Sequence, residues 1–453
     1  MTDTLAAYDL GGFRRALPGV EIIDDPQLVR LKSRDFFWYS PILKAELNRK
    51  SADLVAVPKD QDEALRVIGA CAQFRIPLVV RGGGTGNYGQ LVPLKGGVIL
   101  DTARLDRTVF LKPGVGRFEA GTNLVEIDRQ ARAIGWEMRM HPSTKRMSAI
   151  GGFVAGGAAG VGSITLGQLR DWGSIPGVRV ATCEPVPRTF DFRGRDVANA
   201  THAYGTTGVI LEVEITLAPA YPWFDAVVAF DDFMDAARFG QALGEADGIM
   251  KKEVAVVAWP IPAWFKALKA ECPEGKHVAF CMLAGSERAA FEKLAAEHGG
   301  RLTAWRPTPD ETEQGETPIY EYCWNHTTLQ ALKVDRTVTY LQTVFPLGRN
   351  LEVVEAMYRH YGDEVMLHLE FQRRFGRVNC SALQVVRWTT KERLYEIIRH
   401  HEAAGCIIPN PHSYILEDKG PKVIAGDRQL EFKRVSDPHG LLNPGKMTRW
   451  SPQ

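Results

Sequence analysis

The stretch PLVVRGGGTGNYGQLVP, residues 77–93, decides how this chain folds. Gly84, Gly86 and Gly89 give a literal G-x-G-x-x-G, the spacing by which a Rossmann dinucleotide fold turns from a strand into a helix. The strand is present, because Ile76–Val80 is apolar and β-branched. The helix is not. Pro93 and the Gly96-Gly97 turn occupy its place, and the next apolar run is the short strand VILD at 98–101. Without a helix N-terminus the Rossmann phosphate site does not form. Consecutive glycines have another use: they let backbone N–H groups converge into an anion-binding nest that needs no helix.

At 453 residues the chain is long enough for two or three domains, and 45% hydrophobic with 24% charged residues reads as a soluble globular protein. The balance of 55 basic against 54 acidic residues gives no electrostatic footprint for nucleic acid or an anionic membrane. Seven cysteines are scattered without a CxxC, which points to free thiols in a reducing compartment rather than a disulfide framework or a zinc site. MTDTLAAYDL lacks the basic start and apolar core of a signal peptide, so the expected location is cytoplasmic. The uncharged run 147–169 imitates a membrane helix, but seven of its residues are glycine, which favours burial in a soluble core. The composition leaves a homo-oligomer open.

Along the chain, Asp60 with Glu63 marks the start of a helix over 61–74, and 108–121 reads as a hairpin turning at Pro113-Gly114. A second helix over 123–134 stops at Gly135. Pro219 and Pro222 mark a boundary. Beyond it, helical patterns (231–247, 286–298, 350–361, 390–404) alternate with strands (254–258, 277–283, 319–326, 336–344, 365–372, 380–388). That is an α+β pattern with helices on an antiparallel sheet. The polar run 306–317 reads as a surface loop.

RGGGTGNYGQ, preceded by helix, Ile-Pro and strand, resembles the first phosphate loop of the FAD-linked oxidases, the PCMH-type or vanillyl-alcohol-oxidase flavoprotein superfamily. HPSTKRMSAIGGFVAGGAAG from His141 resembles its second loop, YGTTGVILEVEITLAP (204–219) the strand closing the flavin domain, and SDPHGLLNPGKM (436–447) its returning tail. The resemblance implies an N-terminal segment (1–49), a two-part FAD-binding domain (50–220), an α+β cap (221–430) and a C-terminal return (431–453). Arg81, Gly82, Gly83, Gly84, Thr85, Gly86 and Asn87 would then hold the pyrophosphate. Ser143, Thr144, Ser148, Gly151 and Gly152 would line the ribityl and ring side, Val209 and Ile210 would lie beside the adenine, and Asn443 and Lys446 would pack from the tail. Relatives that bond flavin through this loop use a histidine where Thr85 stands, so noncovalent FAD is expected.

The implied chemistry is oxidation of a CH–OH carbon, with the cap supplying a proton acceptor and orientation. Alternation in VMLHLEFQ puts His368, Glu370 and Gln372 on one strand face. PIYEYCWNH, read as a strand, lines up Tyr320, Tyr322, Trp324 and His326 as an aromatic wall ending in an imidazole. His412 with Asn410 and Tyr414 is a third candidate. Arg146, Arg349, Arg373 and Arg374 could clamp a carboxylate. No metal is expected, since the EHG tripeptide of metal-binding relatives is missing. A small 2-hydroxy acid or alcohol is the expected substrate. An aromatic or phenolic alcohol and a non-catalytic, electron-carrying flavin subunit are the alternatives.

Overall fold

The computed structural model describes residues 8–310, 317–422 and 427–451. Three sheets organise them, and helices and strands are mixed as in an α+β protein. The first sheet has four strands, in the order Glu21–Ile23, Leu54–Val57, Val98–Asp101 and Leu78–Arg81. Its last three strands run parallel. Glu21–Ile23 joins antiparallel, so the N-terminal segment is woven into this sheet. Helix Gln61–Gln73 forms because the Asp60 side chain accepts from the Glu63 N–H, while Ala64, Val67, Ile68 and Cys71 stripe one face.

The second sheet has six strands and is antiparallel around the long strand Val209–Pro219. The tail returns to the first sheet: Leu78 N–H donates to Leu441 O at 2.8 Å, and Asn443 N–H donates to Leu78 O at 2.8 Å. Lys433 and Asp437, both buried, pair at 2.7 Å to hold helix Asp427–Ser436 to this return.

The third sheet has eight antiparallel strands. Helices Phe233–Glu245, Arg288–Glu297, Asn350–Tyr361 and Lys391–Ala403 cover one face. The other face packs on residues 261–268 and 319–332. Through these it reaches the half that carries the glycine loop, where the rings of His141 and Tyr320 lie 4.8 Å apart.

The expected strand over 319–326 is corrected. Residues Ile319–Tyr322 form a 3-10 turn and Asn325–Val334 an α-helix, joined through Trp324 at φ 53°. Pro318 starts the turn, and no β-bridge partner is recorded for the segment. Tyr320 and Tyr322 alternate inward because they wedge under the sheet, so their period of two reflects burial rather than pleat. His326 consequently does not end an aromatic strand face. The segment 147–169 breaks into the short helices Ile150–Gly156 and Ser163–Leu166. Among the described residues no helix is long and apolar enough to cross a membrane. Of the expected loop 306–317, residues 311–316 lie outside the described residues, and Arg306 and Pro307 end a strand, Arg301–Pro307.

Candidate functional site

A cavity of about 310 Å³ opens between the first two sheets and the cap sheet. That volume falls at the lower end of small-molecule sites. The glycine loop forms one wall: Gly82, Gly83, Gly84, Thr85, Gly86 and Asn87 all line it. Opposite stand Ser143, Thr144, Ser148, Gly151 and Gly152, with Ile210 at the base.

Both loops are glycine-rich because they touch backbone to backbone. A Cβ on Gly83 would sit 1.9 Å from Met147 O, and one on Gly151 would sit 2.8 Å from Ala120 O. Side chains are excluded there, and polar main chain faces the cavity. Small hydroxyls fill the seam: Thr85 Oγ1 lies 3.0 Å from Ser148 Oγ, which lies 2.9 Å from Thr144 Oγ1. Three buried polar atoms of the lining, Asp35 Oδ2, Asn87 Nδ2 and Asn325 Oδ1, have no protein partner. Buried polar atoms without partners await a polar ligand. A backbone cradle, a hydroxyl seam and orphaned polar atoms together fit a phosphate-bearing dinucleotide.

Four of the expected cofactor residues stand behind this wall. Arg81 turns back and donates to Lys32 O at 2.7 Å and Arg34 O at 2.9 Å. Val209 is in the core. Asn443 Nδ2 donates to Gln90 O at 2.6 Å and Tyr204 O at 2.8 Å, and Lys446 Nζ donates to Gly89 O. Asn443 and Lys446 fix loop carbonyl groups from outside, Arg81 ties the loop to the N-terminal segment and Val209 packs in the core, so the four support the cavity without lining it.

The cap wall is made of side chains, among them Trp324, Asn325, Gln342, Thr343, Gln372 and Ser381. His368 and Glu370 are wholly buried, with Nε2 and Oε1 2.7 Å apart, and neither lines the cavity. Trp324 lines it in front of them, donating its backbone N–H to Glu370 Oε1 at 2.5 Å. Burial holds the His368 imidazole down to about 3 and pushes the Glu370 carboxyl up to about 8.

His412 is spent elsewhere. Nδ1 lies 2.8 Å from Ser40 Oγ and Nε2 2.8 Å from Tyr340 O, and burial lowers its pKa to about 3. A neutral ring with both nitrogens engaged pins the N-terminal segment to the cap. His326 is likewise off the cavity, its pKa lowered to about 4 by burial. Tyr322 is core, and Tyr414 packs under Lys446, whose Nζ lies 4.9 Å from the ring centre. The four arginines also lie outside the lining. Arg146 pairs with Glu321, Arg349 with Glu352 and Arg373 with Asp247, while Arg374 sits over Phe375.

Asp35 and Lys419 are the only charged side chains among the described residues that line the cavity. Sequence reasoning passed over both, because neither lies in a motif. Burial raises Asp35 to about 6, against the pull of Lys446 and the Phe37 and Leu91 N–H groups. Burial lowers Lys419 to about 7. Its Nζ donates to Asn410 O and, at 2.6 Å, to Ser413 O, and it lies 4.3 Å from the centre of the Tyr88 ring. Tyr88 also lines the cavity, and its phenol is hydrogen-bonded to Gln342 and Asn325. It sat in the opening stretch as a plain loop residue. Among the described residues no cluster of metal-ligating side chains occurs.

Residues 52–184 match the family model described as "FAD binding domain". Glycolate oxidase subunit GlcD of Escherichia coli (strain K12) is 28% identical over 253 residues, covering 53% of this chain and 48% of that protein. Mitochondrial D-2-hydroxyglutarate dehydrogenase of Rattus norvegicus is 26% identical over 225 residues, covering 48% of this chain and 40% of that protein. D-lactate dehydrogenase of Archaeoglobus fulgidus is 27% identical over 179 residues, covering 37% and 39% respectively. The chain thus spans about half, or less, of the length of these curated relatives. A solved structure of alkyldihydroxyacetonephosphate synthase superposes with a TM-score of 0.71 at 15% identity, covering 98% of this chain and 87% of that one, which shows a shared fold. Over residues 52–184 the chain therefore carries an FAD binding domain, and FAD is its cofactor.

Proposed function

We propose that this protein is an FAD-dependent oxidoreductase acting on the CH–OH carbon of a small 2-hydroxy acid, with FAD held noncovalently. On this reading residues 50–220 hold the cofactor and 221–430 form the cap. FAD, when bound, supplies the hydride acceptor. The chain supplies the rest: the glycine loops cradle the diphosphate through main-chain N–H groups, and the cap binds and orients the substrate.

The observation that carries the acid reading is Lys419, the one cation among the described lining residues. Two backbone carbonyls fix its ammonium. A substrate carboxylate paired with it raises its depressed pKa and stabilises the charged form. Tyr88, Asn325 and Gln342, already hydrogen-bonded together, can orient the substrate hydroxyl. Support also comes from the relatives, three of which are named for hydroxy acids.

Anaerobic mixing of the purified flavoprotein with glycolate, D-lactate and D-2-hydroxyglutarate tests this, with flavin bleaching as the readout. At least one acid should bleach the flavin, and Lys419→Met should raise its KM by about tenfold or more. Bleaching by benzyl alcohol alone would favour aromatic alcohols, a reading supported by Trp324 and Tyr88 in the lining. Flavin that no small substrate reduces, in protein that copurifies with a partner, would favour a subunit that only carries electrons.

A further inference from the structure

Behind the cap wall lies a cluster of acids that the proposed chemistry does not use. Glu253, on strand Lys251–Val257, and Glu370, on strand His368–Arg374, are both buried; their carboxyl groups face each other within reach of a hydrogen bond, and Glu370 Oε2 receives no N–H or O–H from any other group among the described residues. Two carboxylates cannot make that bond, so one proton must sit between them. Both acids also hold Trp324. Its backbone N–H donates to Glu370 Oε1 at 2.5 Å, and its indole N–H donates to Glu253 Oε2 at 3.0 Å. The same tryptophan sits at φ 53°, a left-handed conformation strained for a bulky residue, and it lines the cavity. Such strain persists only where the surroundings over-determine it, and cavity walls are where it collects.

We propose that Glu253 and Glu370 form a proton-sharing pair that clamps Trp324 into the cavity wall, with Trp324 the specificity-determining contact of the cap and the shared proton its latch. The proposal rests on the cavity being the ligand site. It does not depend on which substrate is turned over.

The groups facing the pair favour a latch that keeps its proton at neutral pH. His368, 2.7 Å from Glu370, stays neutral through burial and contributes no charge. Cys323 and Cys281 pack nearby as buried thiols whose pKa values are pushed up. Lys251 gives its ammonium to Ala246 O and Ile249 O, Lys252 pairs with Glu137, and Asp225 accepts from Thr308 and Ile319. No cation therefore neutralises the pair among the described residues. Burial pushes Glu253 well up and Glu370 to about 8. For a raised acid the sign is fixed: its contribution is fully present below the unfolded value near 4.3 and is lost as pH rises through the folded value. The latch holds at neutral pH: Glu370 ionises first, and the pair parts only when Glu253, pushed higher, loses the remaining proton in alkali and two facing carboxylates repel.

The test uses the FAD-loaded full chain, its Glu253→Gln and Trp324→Phe variants, and infrared and fluorescence readouts that require no turnover. Glutamine keeps an acceptor for the indole and donates to Glu370, but carries no titratable proton. The parent should keep a protonated-carboxyl C=O band above pH 8, after Glu370 has ionised, that Glu253→Gln lacks there. The fluorescence difference between parent and Trp324→Phe should titrate in alkali, above pH 8, and that transition should be absent when Glu253→Gln replaces the parent. Benzoate, read by its perturbation of flavin absorbance, should bind about tenfold more weakly to Trp324→Ala, the scale of one lost aromatic contact. Absence of the infrared band in the parent, a pH response that survives Glu253→Gln, or benzoate affinity untouched by Trp324→Ala would each overturn the proposal. If Glu253→Gln does not fold, Glu370→Gln makes the same test from the other side, and the parent's band decides alone. Hydroxy acids that fail to bleach the flavin would sink the substrate reading and leave these readouts intact.

Discussion

The two walls of the cavity are built on opposite principles. The flavin-loop wall is main chain pressed on main chain, with Gly83 against Met147 O and Gly151 against Ala120 O. The cap wall is side chain on side chain, drawn from residues as far apart as Trp324, Gln342, Gln372 and Lys419. The first excludes any side chain at Gly83 and Gly151, where a single Cβ collides with main chain. The second can be rewritten residue by residue, so specificity belongs there while cofactor binding stays fixed.

The sharpest way to break this contrast is Gly83→Val. With no room for a Cβ, the second loop must move, at a cost of roughly 3 kcal/mol. FAD affinity should fall by about a hundredfold, measured by flavin fluorescence titration. Affinity close to the parent's would mean that the wall is softer than its contacts imply.

A comparable effect is expected in the buried charge network beside the seam between the two halves. Lys145 and Asp128 are buried and pair at 2.7 Å, and Glu137 accepts from Lys252 Nζ at 2.8 Å and from the Trp223 indole. Burial alone would raise Asp128, but Lys145, Lys252 and Arg132 hold it well below the usual carboxylate range. Lys145→Met should cost about 3 kcal/mol at neutral pH, since it strands a buried charge. A depressed carboxyl stabilises above its unfolded value and loses that contribution as pH falls through the folded one. The gap between parent and variant melts should therefore narrow below about pH 4. A gap independent of pH would mean that lost packing, not a stranded charge, carries the cost.

The smallest effect should come from Arg349. It was a candidate carboxylate clamp by sequence, yet it forms an exposed pair with Glu352 on the far helix. Arg349→Ala should leave melting temperature and substrate KM unchanged, as exposed pairs generally do. A raised KM would place the substrate site elsewhere than the cavity.

The same contrast explains how much could be read from the chain. The glycine loop and the helix capped by Asp60 were legible because each rests on a local requirement, a backbone approach or a cap with a periodic face, whereas the second loop was legible only by its resemblance to a known family. The cap wall was not. Tyr320, Tyr322 and Trp324 alternate like a strand, but their burial under the sheet sets that pattern. His412 looked catalytic, and both its nitrogens are engaged by Ser40 and Tyr340, residues that nothing in the local sequence connects to it. Asp35 and Lys419 meet at one cavity from opposite ends of the chain, and no spacing announces such a contact.

The absorption spectrum of purified protein before and after acid precipitation tests the central claim most directly. A glycine-walled cleft that carries Thr85, rather than a histidine, beside Ser148 should hold FAD without a covalent bond. The account predicts a yellow protein whose colour passes into the supernatant. Colour retained in the pellet would contradict noncovalent binding, and a colourless protein that FAD cannot reconstitute would contradict the cleft itself.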